Sequence, residues 1–344
     1  MRAPLRDSGR DPDREPGHDW RRLPKIELHL HIEGAAPPRL VRDLAAEKRE
    51  DVSGLFDAGG GYVRGSFAEF LRTYDAAASV IRGPRDYERL AVAVLEESAS
   101  QGAIYTEMFV SPDFCGGGEV AAWREHVHAM EEAAARLAPE IAFRVCATAV
   151  RHLGPERARA AALCAAETAG GFVTGFGMGG DEGSGAPSDF AWAFDCAREA
   201  GLGITCHAGE WAGPAAIRET LEALRPTRLG HGVRAAEDPA LVDDLAERGV
   251  VLEVCPGSNL ALGLYPSLER HPIAALRERG VPVTVSTDDP PFFGTTLTAE
   301  WEGLERAYGW GPEDLLALNR AALAAAFCDE ATREGLAKRL EAAA

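Results

Sequence analysis

The 344-residue sequence lacks basic runs and long apolar runs. Its 36 Lys and Arg residues face 54 Asp and Glu residues, the net charge is −18, and no run of Lys and Arg exceeds two residues. A chain this acidic repels nucleic acid and anionic membrane surfaces, and no apolar stretch is long enough to span a bilayer. We therefore expect no nucleic-acid or membrane partner, and a neutral small molecule as the ligand.

The sequence also has no C-x-x-C pair, and its seven cysteines are an odd number. This usage is typical of unpaired thiols in a reducing compartment. Residues 1–22 are rich in Arg, Asp, Pro and Gly and lack the apolar stretch of a secretory signal. We predict a disordered N-terminal extension over residues 1–22 and a cytoplasmic protein.

Several common catalytic motifs are missing. There is no G-x-S-x-G, no Walker A loop and no P-C-x-x-C of the cytidine deaminase type. Residues 175–180 match G-x-G-x-x-G, but the acidic pair Asp181-Glu182 follows them. Those carboxylates repel a phosphate and delay the helix that a dinucleotide site needs. The pattern therefore does not predict a nucleotide cofactor.

From Lys25 onward, short apolar segments alternate with longer segments rich in Ala, Leu, Arg and Glu. Strands that alternate with helices indicate a parallel sheet with crossover helices. Eight strands fit a closed (β/α)8 TIM barrel, of the α/β class, better than an open sheet. No Pro- or Ser-rich linker interrupts residues 23–344, which we predict to be a single domain. The predicted strands are residues 25–31, 103–110, 142–150, 172–180, 203–209, 227–233, 250–256 and 282–289.

Two parts of the chain exceed a minimal barrel. Residues 36–101 are long enough for three extra helices after the first strand, and more helices are predicted from about residue 296 to the C-terminus. The Gly-rich segments 54–65 and 114–119 are expected to be mobile covers of a site, because functional loops lie at the surface. Between the other strands, we predict helices at residues 119–138, 155–169, 188–200, 212–224 and 237–248.

Ionisable side chains gather at the carboxyl ends of the predicted strands, where barrel enzymes place their chemistry. His29 and His31 are two residues apart on a strand and point to the same face. His207 and Asp288 end two other strands. Three imidazoles and a carboxylate suit zinc, or less specifically iron, cobalt or manganese. The alternative for an isolated H-x-H pair is a hydrogen-bonded core histidine, and the two further residues favour the metal.

Three more residues follow this cluster along the chain. Glu210 is a candidate general acid/base if burial raises its pKa, and its alternative role is a first-turn acid of the next helix. His231 can polarise or deprotonate a metal-bound water, and its alternatives are a fifth ligand or a partner of a ligand. Asp289 can turn toward a substrate or cap the following loop.

Six segments in this order and spacing make the sequence similar to the adenosine deaminase family of the amidohydrolase superfamily. The resemblance covers about residues 23–330, and each motif alone is weak while the set is specific. The segments are PKIELHLHIEG (24–34), GGDE (179–182), HAGE (207–210), LGHG (229–232), CPGSN (255–259) and STDDPPFFG (286–294).

The resemblance implies a (β/α)8 barrel with one Zn²⁺ per chain and the ligands His29, His31, His207 and Asp288. It implies that Glu210 protonates purine N1 and that His231 orients and activates the zinc-bound water. It also implies that Asp289 is the acceptor facing N7 and that the backbone N–H of Gly180 faces N3, beside substrate contacts from His31 and Glu33. These roles suit hydrolytic deamination, which needs a strong nucleophile at neutral pH, since zinc lowers the pKa of bound water from 15.7 to about 7.

The substrate is the least determined feature. Adenosine deaminases often have Asp, facing the ribose 5′-hydroxyl, where this sequence has Glu33. Related adenine and aminodeoxyfutalosine deaminases also carry Glu there, but adenine deaminases tend to have Lys-Leu shortly after C-P-x-S-N, where this sequence reads SNLALGLY. The resemblance therefore favours deamination of adenosine and 2′-deoxyadenosine to inosine and ammonia. The alternatives are adenine and aminodeoxyfutalosine, and the sequence does not fix the oligomeric state.

Two other classes of protein fit less well. A two-metal hydrolase on a similar barrel often uses a modified lysine as a bridge, and no Lys occurs between Lys48 and Lys338. A catalytically inactive relative that only binds nucleosides predicts a lost ligand or a lost acid, whereas every expected position is filled.

Overall fold

The computed structural model describes residues 17–63, 65–138 and 140–343. These residues form eight parallel strands in the sheet order β1 to β8, each bonded to its neighbours in the chain, with helices between them. The (β/α)8 TIM barrel predicted from the alternating segments is therefore confirmed. The strands are β1 (Lys25–His31), β2 (Ala103–Val110), β3 (Ala142–Val150), β4 (Val173–Gly179), β5 (Gly203–Ala208), β6 (Arg228–His231), β7 (Val251–Val254) and β8 (Val283–Val285).

The strands read as near-continuous apolar runs because both of their faces are covered. All eight residues of β2 are buried, and so are all four of β6 and all four of β7. Parallel strands in a barrel pack against side chains inside and against helices outside, which explains this pattern. The buried polar residues of these strands are thus the exceptions that call for a partner.

Helices cover the outside of the barrel, and three of them follow β1 as the sequence predicts. Among the described residues, none of the helices is both long and apolar enough to cross a membrane. The helices are α1 (Pro38–Lys48), α2 (Phe67–Ala78), α3 (Pro84–Ser100), α4 (Val120–Leu137), α5 (Pro155–Glu167), α6 (Ala191–Glu199), α7 (Pro214–Ala223), α8 (Pro239–Arg248), α9 (Pro256–Ala261), α10 (Ile273–Glu278), α11 (Pro290–Phe293), α12 (Leu297–Tyr308), α13 (Pro312–Ala325) and α14 (Glu330–Glu341).

The last three strands are shorter than predicted. The segment predicted as a strand over 282–289 is extended only in β8, and the one predicted over 227–233 ends with β6. Both segments turn at residues with left-handed backbones, at φ of +59° for His231 and +67° for Asp288. Side chains with a Cβ rarely adopt this conformation, so apolar patterning could not reveal where these strands stop.

The structure describes only the last six residues of the predicted N-terminal extension, Gly17 to Arg22. Residues 1–16 lie outside the described residues. Trp20, in contrast, is 1% exposed, its indole N–H donates to Glu305 at 2.5 Å, and its ring stacks on Trp301 at 5.7 Å. The prediction of disorder is therefore wrong for residues 17–22, because an aromatic side chain there is anchored in the core.

Candidate metal and purine site

The predicted site residues meet at the carboxyl end of the barrel. His29 and His31 lie on β1, His207 lies on β5 and His231 ends β6. Asp288 follows β8 and pairs with Leu30 of β1 through an isolated parallel bridge. This bridge brings the last strand segment back to the first one and places the carboxylate beside the two β1 imidazoles.

The donor atoms of these residues form a compact cluster. His31 Nε2 lies 3.2 Å from His207 Nε2 and 3.3 Å from Asp288 Oδ1, which is itself 3.4 Å from His29 Nε2. One donor atom from each of His29, His207, His231 and Asp288 lies within 4.8 Å of the other three. The geometry thus gathers five candidate ligands, one more than the four that the resemblance implies.

Two features of the backbone make room for this cluster. A Cβ added to Gly230 would come within 2.9 Å of both His207 and His29, so only glycine fits between the imidazoles. The other oxygen of Asp288, Oδ2, accepts a hydrogen bond of 2.6 Å from the Ser258 hydroxyl, which leaves Oδ1 directed at the histidines. The LGHG and CPGSN motifs therefore shape the arrangement of the five candidate ligands, which are called the metal cluster below.

The residues present fit a bound cation. His29 Nδ1 lies 2.9 Å from Glu253 Oε2, and His29 Nε2 is buried without a hydrogen-bond partner among the described residues. Burial alone would lower the pKa of His29, but the neighbouring carboxylates of Asp288 and Glu253 outweigh it and raise the pKa to about 9. A position that attracts a proton this strongly also favours a metal ion, and imidazole with carboxylate is a donor set typical of zinc.

Glu210 faces the same cluster from the loop after β5. Its backbone N–H donates to Glu182 at 3.0 Å, and Glu182 also accepts from the backbone N–H groups of Trp211 and Ala212. Burial, together with the charges of Asp288 and Glu182, raises the pKa of Glu210 well above its ordinary value. The carboxyl group is therefore available in the protonated form that a general acid needs.

Asp289 and Glu33 lie near Tyr74 at another side of the cavity. Burial, then the charge of Asp288, raises the pKa of Asp289 well above its ordinary value, and its Oδ1 has no partner among the described residues. Glu33 is 2% exposed and accepts hydrogen bonds from the hydroxyls of Tyr87 at 2.8 Å and Tyr74 at 3.4 Å. Glu33 is therefore held in place and lines the cavity as a fixed wall.

The cavity itself lies above the cluster and has an aromatic roof. Phe67, Phe70 and Tyr74 of α2 line it, and Phe114 lines it from the 114–119 segment that was predicted as a cover. The 54–65 segment meets the rim indirectly, where Tyr62 stacks on Phe292 at 3.8 Å. Sequence patterning missed α2 as the main cover, since an amphipathic helix gives no sign of what it faces.

Gly180 closes one wall of the cavity. Its φ is +95°, and a Cβ there would come within 2.9 Å of His152 Nδ1. Both the left-handed backbone and the close neighbour require glycine at this position. The backbone therefore passes directly along the cavity wall, as its predicted contact with a purine ring requires.

The residues that support the site were not predicted individually. All of them are buried, and all but Arg228, which pairs with Glu253, make a polar contact with a predicted site residue. Three of them stand within the motifs quoted above. The only sequence signal for Arg228 and Glu253 is a charged residue inside a buried strand, as in TRLGH or VLEV, and Tyr87 on α3 has no such signal. These residues are Tyr87, Glu182, Arg228, Glu253, Ser258 and Asn259.

The chain is similar to several known proteins. The family model described as Adenosine deaminase matches residues 24–343. The chain is 46% identical over 321 residues to a protein from Agrobacterium fabrum named adenine deaminase, which covers 92% of this chain and 98% of the relative. The crystal structure of adenine deaminase from Arthrobacter aurescens superposes with a TM-score of 0.83 and 27% identity, over 93% of this chain and 98% of the other. An amidohydrolase from Burkholderia ambifaria with bound Zn shares the fold, with a TM-score of 0.80 and 24% identity over 93% of this chain and 91% of its own.

Proposed function

Because the chain belongs to the adenosine deaminase family and is a hydrolytic deaminase of amidine C–N bonds, we propose that it deaminates free adenine to hypoxanthine and ammonia. This reverses the preference for adenosine that the missing Lys-Leu suggests, since curated relatives that align with nearly the whole chain are named adenine deaminase. The observation that carries the proposal is the fixed, buried carboxylate of Glu33 at the position that faces the sugar in adenosine deaminases.

Glu33 distinguishes a base from a nucleoside by size and by hydrogen bonding. Its side chain is one methylene longer than Asp, and two tyrosine hydroxyls prevent it from swinging away. Free adenine has an N–H on its five-membered ring that a carboxylate accepts, whereas a nucleoside has a sugar there. A site built to bind an N–H rejects analogues that lack it, because the buried acceptor is left unpaired.

The charge of the cavity argues against nucleotides. Among the residues that the structure describes, no Lys or Arg lines the cavity, whereas the acidic residues Glu33 and Asp75 do. A phosphate would meet acidic side chains without a compensating Lys or Arg, which is unfavourable in a partly buried site. The proposed substrate is therefore a neutral purine base.

In this proposal His29, His31, His207 and Asp288 hold one Zn²⁺ per chain. Such an ion, when bound, supplies a nucleophile at neutral pH by lowering the pKa of coordinated water. Glu210, protonated by virtue of its burial, donates its proton to purine N1 as C6 becomes tetrahedral. Each of these roles stays with the residue to which the resemblance assigns it.

The remaining residues orient the ring. The backbone N–H of Gly180 donates to N3, and Asp289 contacts N7. Since N7 carries a lone pair, the protonated form of Asp289, which burial favours, is the donor here. This replaces the acceptor role that the resemblance implied. His231 Nε2 lies 3.8 Å from Glu210 Oε2, beside the metal cluster.

A side-by-side ultraviolet assay of the zinc-loaded protein on adenine, adenosine, 2′-deoxyadenosine and AMP tests the proposal. We expect kcat/KM for adenine to exceed that for adenosine by at least about 10²-fold, with AMP slower still. Equal rates on adenine and adenosine would contradict base selectivity but leave the deaminase chemistry intact. Turnover of none of the four would contradict the proposed substrate class, and Glu210→Gln serves as the inactive control.

A further inference from the structure

A chain of buried polar side chains leads from His231 away from the reacting groups. His231 Nδ1 lies 3.3 Å from the Asn259 side-chain nitrogen, and the Asn259 side-chain oxygen lies 3.1 Å from His271 Nε2. His271 Nδ1 in turn lies 3.2 Å from the backbone nitrogen of Ile273. His231, Asn259 and His271 are 1%, 0% and 4% exposed, so water does not compete for these contacts.

The backbone end of this chain has only one possible direction. The N–H of Ile273 can donate but not accept, so His271 Nδ1 must be the acceptor. Burial lowers the pKa of His271 to about 3, so the ring is neutral and carries its single proton on Nε2. The Nε2–H of His271 must then donate to the Asn259 oxygen, which fixes the orientation of the amide.

The fixed amide determines the ring of His231. With its oxygen toward His271, Asn259 presents its NH₂ group to His231 Nδ1, which must accept. A neutral His231 then carries its proton on Nε2. That atom lies 3.8 Å from Glu210 Oε2 and 3.8 Å from Asp288 Oδ2, and so faces the metal cluster.

We infer that Asn259 and His271 are positioning residues, which place the ring proton of His231 on Nε2 and so present it to the metal cluster as a hydrogen-bond donor. A nitrogen that carries a proton has no lone pair for a metal. This series of hydrogen bonds therefore removes His231 from the five candidate ligands and leaves His29, His31, His207 and Asp288. It also makes His231 a group that orients a neighbouring oxygen, and not one that removes a proton from it.

The inference rests on the proposed function only for what the His231 Nε2–H group does in the reaction. Where the proton lies on the His231 ring is a property of the protein without substrate. Protein labelled with ¹⁵N in its histidines and loaded with zinc is examined by long-range ¹H–¹⁵N correlation, with His231→Asn to assign the signal. We expect a protonated Nε2 and a bare Nδ1. The opposite tautomer in the wild type would overturn the inference.

Substitutions along the chain test which residues set the tautomer. Asn259→Asp can only accept at this position, so we expect the proton of His231 to move to Nδ1. His271→Ala frees the amide of Asn259 to turn over and should give both tautomers. His271→Gln keeps an N–H that can donate to the Asn259 oxygen and should restore the wild-type signal. An unchanged His231 signal in both Asn259→Asp and His271→Ala would overturn the positioning role.

Turnover supplies a second measurement. Loss of one preorganised donor costs about 10²–10³-fold in rate, so Asn259→Asp should reduce kcat on adenine by about 10²-fold with little change in KM. The matched control is Asn319→Asp. Asn319 is a second buried asparagine, which accepts a hydrogen bond from the backbone N–H of Ile26 on β1 and donates one to the carbonyl of Pro24, just before β1. Asn319 and Asn259 are buried to a similar extent. We expect Asn319→Asp to lower the stability of the protein but to leave the His231 signal unchanged. A shifted His231 signal in that control would show that general destabilisation moves the proton, and would overturn the assignment.

Discussion

His29 Nδ1 lies 2.9 Å from Glu253 Oε2, and both side chains are fully buried. The carboxylate fixes the imidazole so that Nε2 is directed at the metal cluster. Burial would raise the pKa of Glu253, but the charge of Arg228 outweighs it and the pKa lies below its usual value. Arg228 lies 2.6 Å from Glu253 and 2.7 Å from Glu107 and stacks on Phe327, so an extended charge network supports one of the proposed metal ligands.

This network predicts that Glu253→Gln weakens metal binding without abolishing folding. Arg228 keeps Glu107 as its partner in the variant, so no buried cation is left unpaired. Partners of this kind change metal affinity by about 10–100-fold, and competition with a chromophoric chelator measures the change. Glu107→Gln is the matched control, since it contacts the same arginine but not His29. Equal zinc affinity in Glu253→Gln and wild type would show that Glu253 does not orient the ligand.

Glu210→Gln should separate metal binding from chemistry. The amide has nearly the same size as the carboxyl group but has no acidic proton to give to N1, and Glu182 still holds the backbone of its loop. We expect a full complement of zinc by metal analysis and a loss of about 10²–10⁴-fold in kcat on adenine. Turnover at the wild-type rate would rule out Glu210 as the acid.

Sequence patterning predicts those parts of this protein that repeat or that stand at strand ends. It gives all eight strands, the three helices after β1, and the histidines and carboxylates of the cluster, since each of these depends on local alternation or on a short motif. The pairing of Glu253 with His29 depends on β1 and β7 facing each other inside the barrel, 224 residues apart in sequence. Such pairing across the barrel has no local signature.

The difference between local patterns and long-range contacts also explains what the sequence did not predict. Trp20 lies in a segment whose composition is typical of disorder, but one aromatic side chain has its partners, Glu305 and Trp301, at the far end of the chain. The proposed substrate depends on a contact of the same kind. The sequence shows Glu33, but not the hydroxyl of Tyr87 that holds it from α3.

A pH-dependent stability should arise at Glu300 of α12, away from the reacting groups. Its carboxyl accepts from the Gly257 backbone at 2.9 Å and the Thr295 hydroxyl at 2.6 Å, and burial raises its pKa from 4.5 to about 7. Because the folded pKa is the higher one, this contribution to stability is complete below pH 4.5 and is lost as the pH rises through 7.

Glu300→Gln removes this titration. Above pH 7 we expect the variant to be more stable than wild type by up to about 3 kcal/mol in urea unfolding, and the difference should shrink as the pH falls toward 5. Glu302→Gln, on the same helix but partly exposed, controls for the general effect of removing a charge. A constant difference between Glu300→Gln and wild type across this range would contradict a raised pKa.

Glu33→Asp should widen the substrate range toward nucleosides. The shorter side chain opens space equal to one methylene, where the sugar of adenosine would lie, and it no longer reaches both Tyr87 and Tyr74 with the same geometry. A single methylene in a pocket changes selectivity by about 10–200-fold, so we expect kcat/KM for adenosine to rise by at least about 10-fold. Glu33→Gln is the control of equal size: it should weaken adenine binding by replacing one carboxyl oxygen with an N–H group that cannot accept, and leave adenosine excluded. If Glu33→Asp gains no adenosine activity while its adenine activity is retained, the length of this side chain does not limit the site, and the aromatic roof formed by α2 must exclude the sugar instead.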